Sequence, residues 1–139
     1  MPKVRFHNSE EKNWQTVRSL AVPETLDRFS EKELSSTLYI HEEGTSNSLQ
    51  LIEVKYLPGV LIDRHAHNES GIYYVLSGEL MVGSRAMGPG SSVFISSQTL
   101  YGLKAGPQGA HFLAFRPRAD LSYIHEDEYR LRRQSEEQG

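Results

Sequence analysis

The chain has 139 residues, 37% hydrophobic and 24% charged, with a net charge of −3. That is the size and composition of one globular domain, and the mildly acidic balance offers no basic field for nucleic acid. There is no cysteine, which excludes a disulfide scaffold, a thiolate nucleophile and any Cys-based metal centre.

The first ten residues are polar and lack the apolar stretch of a secretory leader. No apolar run approaches membrane-spanning length. The sequence therefore reads as a soluble, cytoplasmic protein with neither membrane nor nucleic acid among its expected partners. Residues 1–35 form a polar N-terminal arm. In it Trp14-Gln15-Thr16-Val17-Arg18-Ser19-Leu20 alternates like a short strand, and Pro23 opens one or two helical turns with Leu26 and Phe29 on one face. Residues 36–125 carry the barrel, and 126–139 are a charged C-terminal tail with one short element at its start.

Strand and turn signals fill the middle. Thr37-Leu38-Tyr39-Ile40-His41 is a strand, followed by the turn cluster 43–48. A longer strand over 49–57 stops at Pro58-Gly59. The β-type runs 71–76, 79–82 and 92–95 come next, the first halted by Ser77-Gly78. The runs 100–104 and 111–116 flank Ala105-Gly106-Pro107-Gln108-Gly109, which reads as a hairpin loop. Short strands at close spacing with Gly/Pro punctuation indicate an all-β sandwich or barrel.

His65-Ala66-His67 is the most informative triplet, because residues two apart on a strand share a face and two imidazoles there can meet one metal ion. Five residues separate Gly59 from His65. Tyr74-Val75-Leu76-Ser77-Gly78-Glu79-Leu80 follows, and then Gly88-Pro89-Gly90. In these features the sequence resembles the cupin superfamily of small jelly-roll barrels, over roughly residues 37–117. The resemblance implies an all-β fold, a single RmlC-like cupin jelly roll with a short N-terminal extension and a polar C-terminal tail.

The resemblance also implies a metal held by three His and one Glu, and here the sequence departs from it. Gly71 or Ile72 stands where the glutamate belongs, and Tyr101 stands at the last histidine. Only His65 and His67 carry over. Glu69, His111 and Tyr101 are the candidates to complete a site for a divalent Fe, Ni, Mn or Zn. His111 enters because a loop centred on Pro107 would pair it near Leu103.

The alternatives stand beside these readings. His65 and His67 are either ligands or polar residues at a wet barrel mouth. Tyr101 is either a functional phenol or an aromatic plug. Tyr73 is either a pocket residue or a core aromatic, Glu69 a ligand or a solvated loop residue, and His111 a ligand or an ordinary strand residue. Arg116, before Pro117, reads as the cap of a strand end at the surface.

Three functions follow. The first is a metal-dependent enzyme acting on a small organic molecule (dioxygenase, decarboxylase, isomerase or lyase). Its lumen is lined by Val54, Tyr56, Tyr73, Val75 and Leu103, with Tyr73 and Tyr101 donating protons or orienting substrate. The second is a non-catalytic small-molecule-binding cupin that has lost the full metal site. The third is a metal-free enzyme with His65 or His67 as base and Tyr101 as acid. The alternating segment of the arm also predicts a homodimer paired through an N-terminal strand.

Overall fold

A computed structural model describes residues 3–138, and side chains through 136. The arm begins with a 3-10 turn, Ser9–Glu11, and a two-residue strand β1 (Gln15–Thr16), which runs into helix α1 (Val17–Leu20). The strand read over 14–20 is thus mostly helix. Thr16 ends the extended stretch because its side chain accepts from the Ser19 amide and caps the helix. What remains of the strand pairs with β2 of the same chain, Gln15 opposite Leu38. Pro23–Arg28 forms the expected helical turns, in 3-10 geometry, and Ser30 caps α2 (Glu31–Ser35).

The barrel follows as β2 (Thr37–Glu42), β3 (Gln50–Tyr56), β4 (Leu61–Ala66), β5 (Gly71–Val82), β6 (Arg85–Met87), β7 (Ser92–Ile95), β8 (Tyr101–Arg116) and β9 (Ile124–His125). All pairings are antiparallel, in the order β1-β2-β3-β8-β4-β9, with β5 joining β6, β7 and β8. Helix α3 (Glu126–Gln138) covers the described part of the C-terminal segment, with three acidic residues in its first turn, where they complement the helix dipole.

The largest departure from expectation is β8. The hairpin expected at 105–109 does not form, and one sixteen-residue strand runs through it. Its first part pairs with β4 (Ile62 with Leu103) and its second with β3 (Tyr56 with Ala110). Pro107 has no N–H to donate, and it falls where β8 changes partners, so no ladder bond is lost. Two glycines make this corner possible. Gly78 and Gly109 both have positive φ, +74° and +84°. A Cβ on Gly78 would lie 2.3 Å from the Gly109 carbonyl oxygen, and one on Gly109 would lie 2.6 Å from that of Tyr56.

Side chains fill the barrel. Ile52, Val54, Ile62, Val75, Leu80, Leu103 and Phe112 are buried in one cluster, with Tyr56 packed against it. Val54, Tyr56, Val75 and Leu103 therefore belong to packed core rather than to the open lumen expected of them.

Candidate functional site

The site lies where the ends of β4, β5 and β8 meet. Plain alternation from Ile62 would turn His65 outward. A register shift between Ile62 and His65 re-aims the strand, leaving both residues buried. His67 sits one residue beyond the strand end. The two imidazoles lie 5.0 Å apart between ring centres and are nearly perpendicular. Tyr101 is the cross-strand partner of His65, with rings 4.7 Å apart.

The loop after β8 holds this pair. His65 Nδ1 donates to the Asp63 carbonyl at 2.8 Å, and His67 Nδ1 donates to the Ser122 carbonyl. Because carbonyls only accept, both Nδ1 atoms carry the proton, and Nε2 of each neutral ring is a bare lone pair. Neither Nε2 has a hydrogen-bond partner among the described residues. Ser122 Oγ also accepts from the Asn68 amide, while Asp120 accepts from the Glu69 and Ser122 amides. Tyr123 stacks flat on His65, 4.2 Å away with 5° between the planes.

Desolvation keeps both rings neutral. Burial pushes His65 down to about 4 and His67 to about 3, and the charge of Arg116 pushes in the same direction. The Tyr101 hydroxyl is driven well above the ordinary phenol range, chiefly by burial and then by Tyr73.

A polar chain crosses the cleft. Arg116 Nη2 donates to the Tyr73 hydroxyl at 3.3 Å, and Tyr73 shares a short hydrogen bond with the Tyr101 hydroxyl. Either hydroxyl can donate in that bond; when Tyr73 donates, the Tyr101 O–H is free to donate into the cleft. His67, Glu69, Tyr73, Tyr101 and Arg116 line the cleft together with Gly71, Ile95 and Ser96. The cleft has about 210 Å³ of space including its open mouth, but its interior has room for about one water.

The four residues expected to hold a metal are not brought together. His111 lies on the outer face of β8, opposite Lys55 of β3, and its Nε2 meets Glu53 at 2.5 Å. That follows from the missing hairpin, since on one continuous strand His111 alternates out while its neighbours Ala110 and Phe112 are buried. Glu69 also lines the cleft, and its carboxylate pairs with Arg118 at 2.7 Å. Among the described residues, no group of three or more His, Asp or Glu side chains is placed to hold a metal ion. Two imidazoles and a neutral phenol beside a buried guanidinium do not fit a resident divalent cation.

Arg116, read from the sequence as a surface cap, is only 6% exposed and faces the site. The signal was present in the alternation Phe112, Ala114, Arg116, all buried on one face. No sequence pattern marked Tyr123, Ser122 or Asp120, which the loop after β8 brings to the site.

The comparisons bear on the fold. No family model and no curated protein matches the chain. Solved structures do. The polyketide cyclase RemF from Streptomyces resistomycificus matches at 17% identity over 91% of this chain and 90% of that one, with a TM-score of 0.63. KdgF from Halomonas sp. matches at 22% identity over 82% and 95%, with a TM-score of 0.58. The chain has the RmlC-like cupin jelly-roll fold. Oxalate decarboxylase of Bacillus subtilis, a protein with Mn(II) centres, matches at 20% identity with a TM-score of 0.56. This cupin chain spans only 28% of that protein's length. Enzymes are thus among the cupins it resembles. No helix among its described residues is long and apolar enough to cross a membrane.

Proposed function

We propose that this cupin is a metal-independent enzyme that moves protons on a small organic molecule bound at the barrel mouth. The observation that carries this reading is the pairing of an unprotonated Nε2 on His67 with the Tyr101 hydroxyl across one cleft. His67 is the general base and Tyr101 the general acid. His65 is a positioning residue, held between Tyr101 and Tyr123.

The step suited to this pair is proton abstraction next to a carbonyl. His67 Nε2 takes a proton from the α-carbon, and the C–H electron pair becomes the C=C bond of an enol. The carbonyl oxygen takes the Tyr101 proton, so no charge is left on the substrate. Return of a proton from His67 to the α-carbon, with Tyr101 recovering its own from the enol oxygen, restores the keto form and exchanges the α-hydrogen with solvent.

The test is deuterium uptake from D2O into a panel of small ketones and 2-oxo acids, followed by NMR, on protein dialysed against EDTA. Uptake is expected to persist after chelation and to be lost in His67→Gln and Tyr101→Phe. Because the base titrates at about 3 and the acid above the ordinary phenol range, the rate should stay flat between about pH 5 and 9. Activity that vanishes with EDTA and returns with Fe, Mn, Ni or Zn would refute the reading.

A second reading, binding without turnover, draws support from the tight interior. It predicts saturable ligand binding with no exchange on any substrate.

A further inference from the structure

The buried guanidinium of Arg116 has one ion-pair partner, and that pair is long and not hydrogen-bonded. The residue is 6% exposed. Its Nη1 reaches Gln50 Oε1 at 3.5 Å and its Nη2 reaches the Tyr73 hydroxyl at 3.3 Å, both long and both to neutral groups. Asp120 is the nearest carboxylate, 4.0 Å from Nε and beyond hydrogen-bond reach, and its two oxygens already accept the Glu69 and Ser122 amides. Nε is buried with no acceptor at all. An isolated buried cation is costly, and a group held this way has unmet demand for an anion. Gly71 keeps the approach open, because a Cβ there would come within 3.4 Å of Arg116 Cγ and 3.6 Å of Nε.

We propose that Arg116 is an anion subsite that recognises the carboxylate of a small organic acid. The planar guanidinium presents paired N–H donors that match a carboxylate in plane. The cleft interior has room for one oxygen in place of a water, so the flat carboxylate is the anion proposed rather than the bulkier phosphate. The Tyr73 hydroxyl, already bonded to Arg116, lies beside that position. Arg116 neither gives nor takes a proton. It fixes one end of the substrate so that the carbon bearing the labile hydrogen, alpha to the keto group, faces His67. This assignment rests on the proton-transfer reading for the geometry of the reacting end, and it makes small 2-oxo and 3-oxo acids the substrate class.

Binding is measured by titrating ¹⁵N-labelled protein at constant ionic strength with acetate, pyruvate, acetamide and inorganic phosphate. The readouts are the Arg116 Nε–H cross-peak and the melting temperature. Acetate and pyruvate should shift the cross-peak downfield with saturation and raise the melting temperature, while acetamide does neither. Arg116→Gln should weaken both carboxylates at least ~10-fold, and Arg116→Lys should fall between. Acetamide binding as well as acetate would overturn the proposal without reliance on any variant. So would phosphate binding as well as acetate, or carboxylate binding undiminished in folded Arg116→Gln. The two readings fail separately. Carboxylate binding with no deuterium uptake removes the proton-transfer function and keeps the subsite, whereas uptake on neutral ketones without preference for oxo acids does the reverse.

Discussion

Neutral burial of His67 has a consequence for stability that needs no substrate. The native imidazole titrates at about 3, against an ordinary 6.5 in the unfolded chain. Between those values the unfolded state holds a proton that the native state refuses, so stability falls as the pH drops through that window. At pH 5 the loss relative to pH 8 is about 2 kcal/mol for His67, and about 2 kcal/mol more for His65, which titrates at about 4. Glu33 opposes them. Burial, and then the charge of Asp63, raise its carboxyl from 4.5 to about 7. The native state therefore takes up a proton first and gains about 2.5 kcal/mol over the same interval. These groups leave the parent about 1–2 kcal/mol less stable at pH 5 than at pH 8. His67→Gln should be nearly level, and Glu33→Gln should lose about 4 kcal/mol. Urea melts at the two pH values resolve this, since 2 kcal/mol moves a midpoint by about 0.7–2 M at ordinary m-values. A His67→Gln variant that loses as much stability as the parent between pH 8 and 5 would refute a desolvated, neutral His67.

Three other outcomes follow from the geometry. Tyr101→Phe removes the acid and one end of the hydroxyl pair. The rate should drop ~10²–10⁴-fold, with stability changing by no more than about 1.5 kcal/mol in thermal melts. Gly109→Ala should cost well over 2 kcal/mol, because a left-handed backbone and a Cβ 2.6 Å from the Tyr56 oxygen add together. Gly83→Ala, with φ +60° and open space around it, should cost only about 1–2 kcal/mol. Glu53 is 5% exposed and holds Lys12, His41 and His111 together on the outer face of the sheet. Glu53→Gln should therefore speed hydrogen exchange of arm amides 12–16 by at least ~10-fold while the core amides of β8 keep their protection.

Much of the architecture was legible before the structure. Strand alternation, Gly/Pro punctuation and the Gly59 to His65 spacing point to a jelly roll, and the strands at 37, 50, 71 and 92 begin within a residue of where the pattern places them. The corner of β8 was not legible. Ala105-Gly106-Pro107-Gln108-Gly109 has the composition of a loop, but Gly109 serves a close backbone approach and Pro107 sits where the strand changes partners. Local composition cannot separate those uses from a hairpin. That one error moved His111 from the outer face into the expected site. The length of the last helix was not legible because its charges gave no apolar stripe, whereas α3 forms with Arg130 paired to Glu126 and Arg64 of β4 reaching the same carboxylate.

The sequence by itself determined the residue types at the barrel mouth: two histidines two apart, tyrosines at 73 and 101, and neither a cysteine nor the family's glutamate. Those absences bound the chemistry whatever the fold, because no folding step supplies a missing donor. Only tertiary structure decided which groups meet. A bulge turned His65 inward, one uninterrupted strand sent His111 out and Arg116 in, and the loop carrying Ser122 and Tyr123 fixed the tautomer of His67 and the plane of His65. Side-chain direction in a sheet depends on register, and one irregularity reverses every residue beyond it. The register belongs to partner strands far away in sequence.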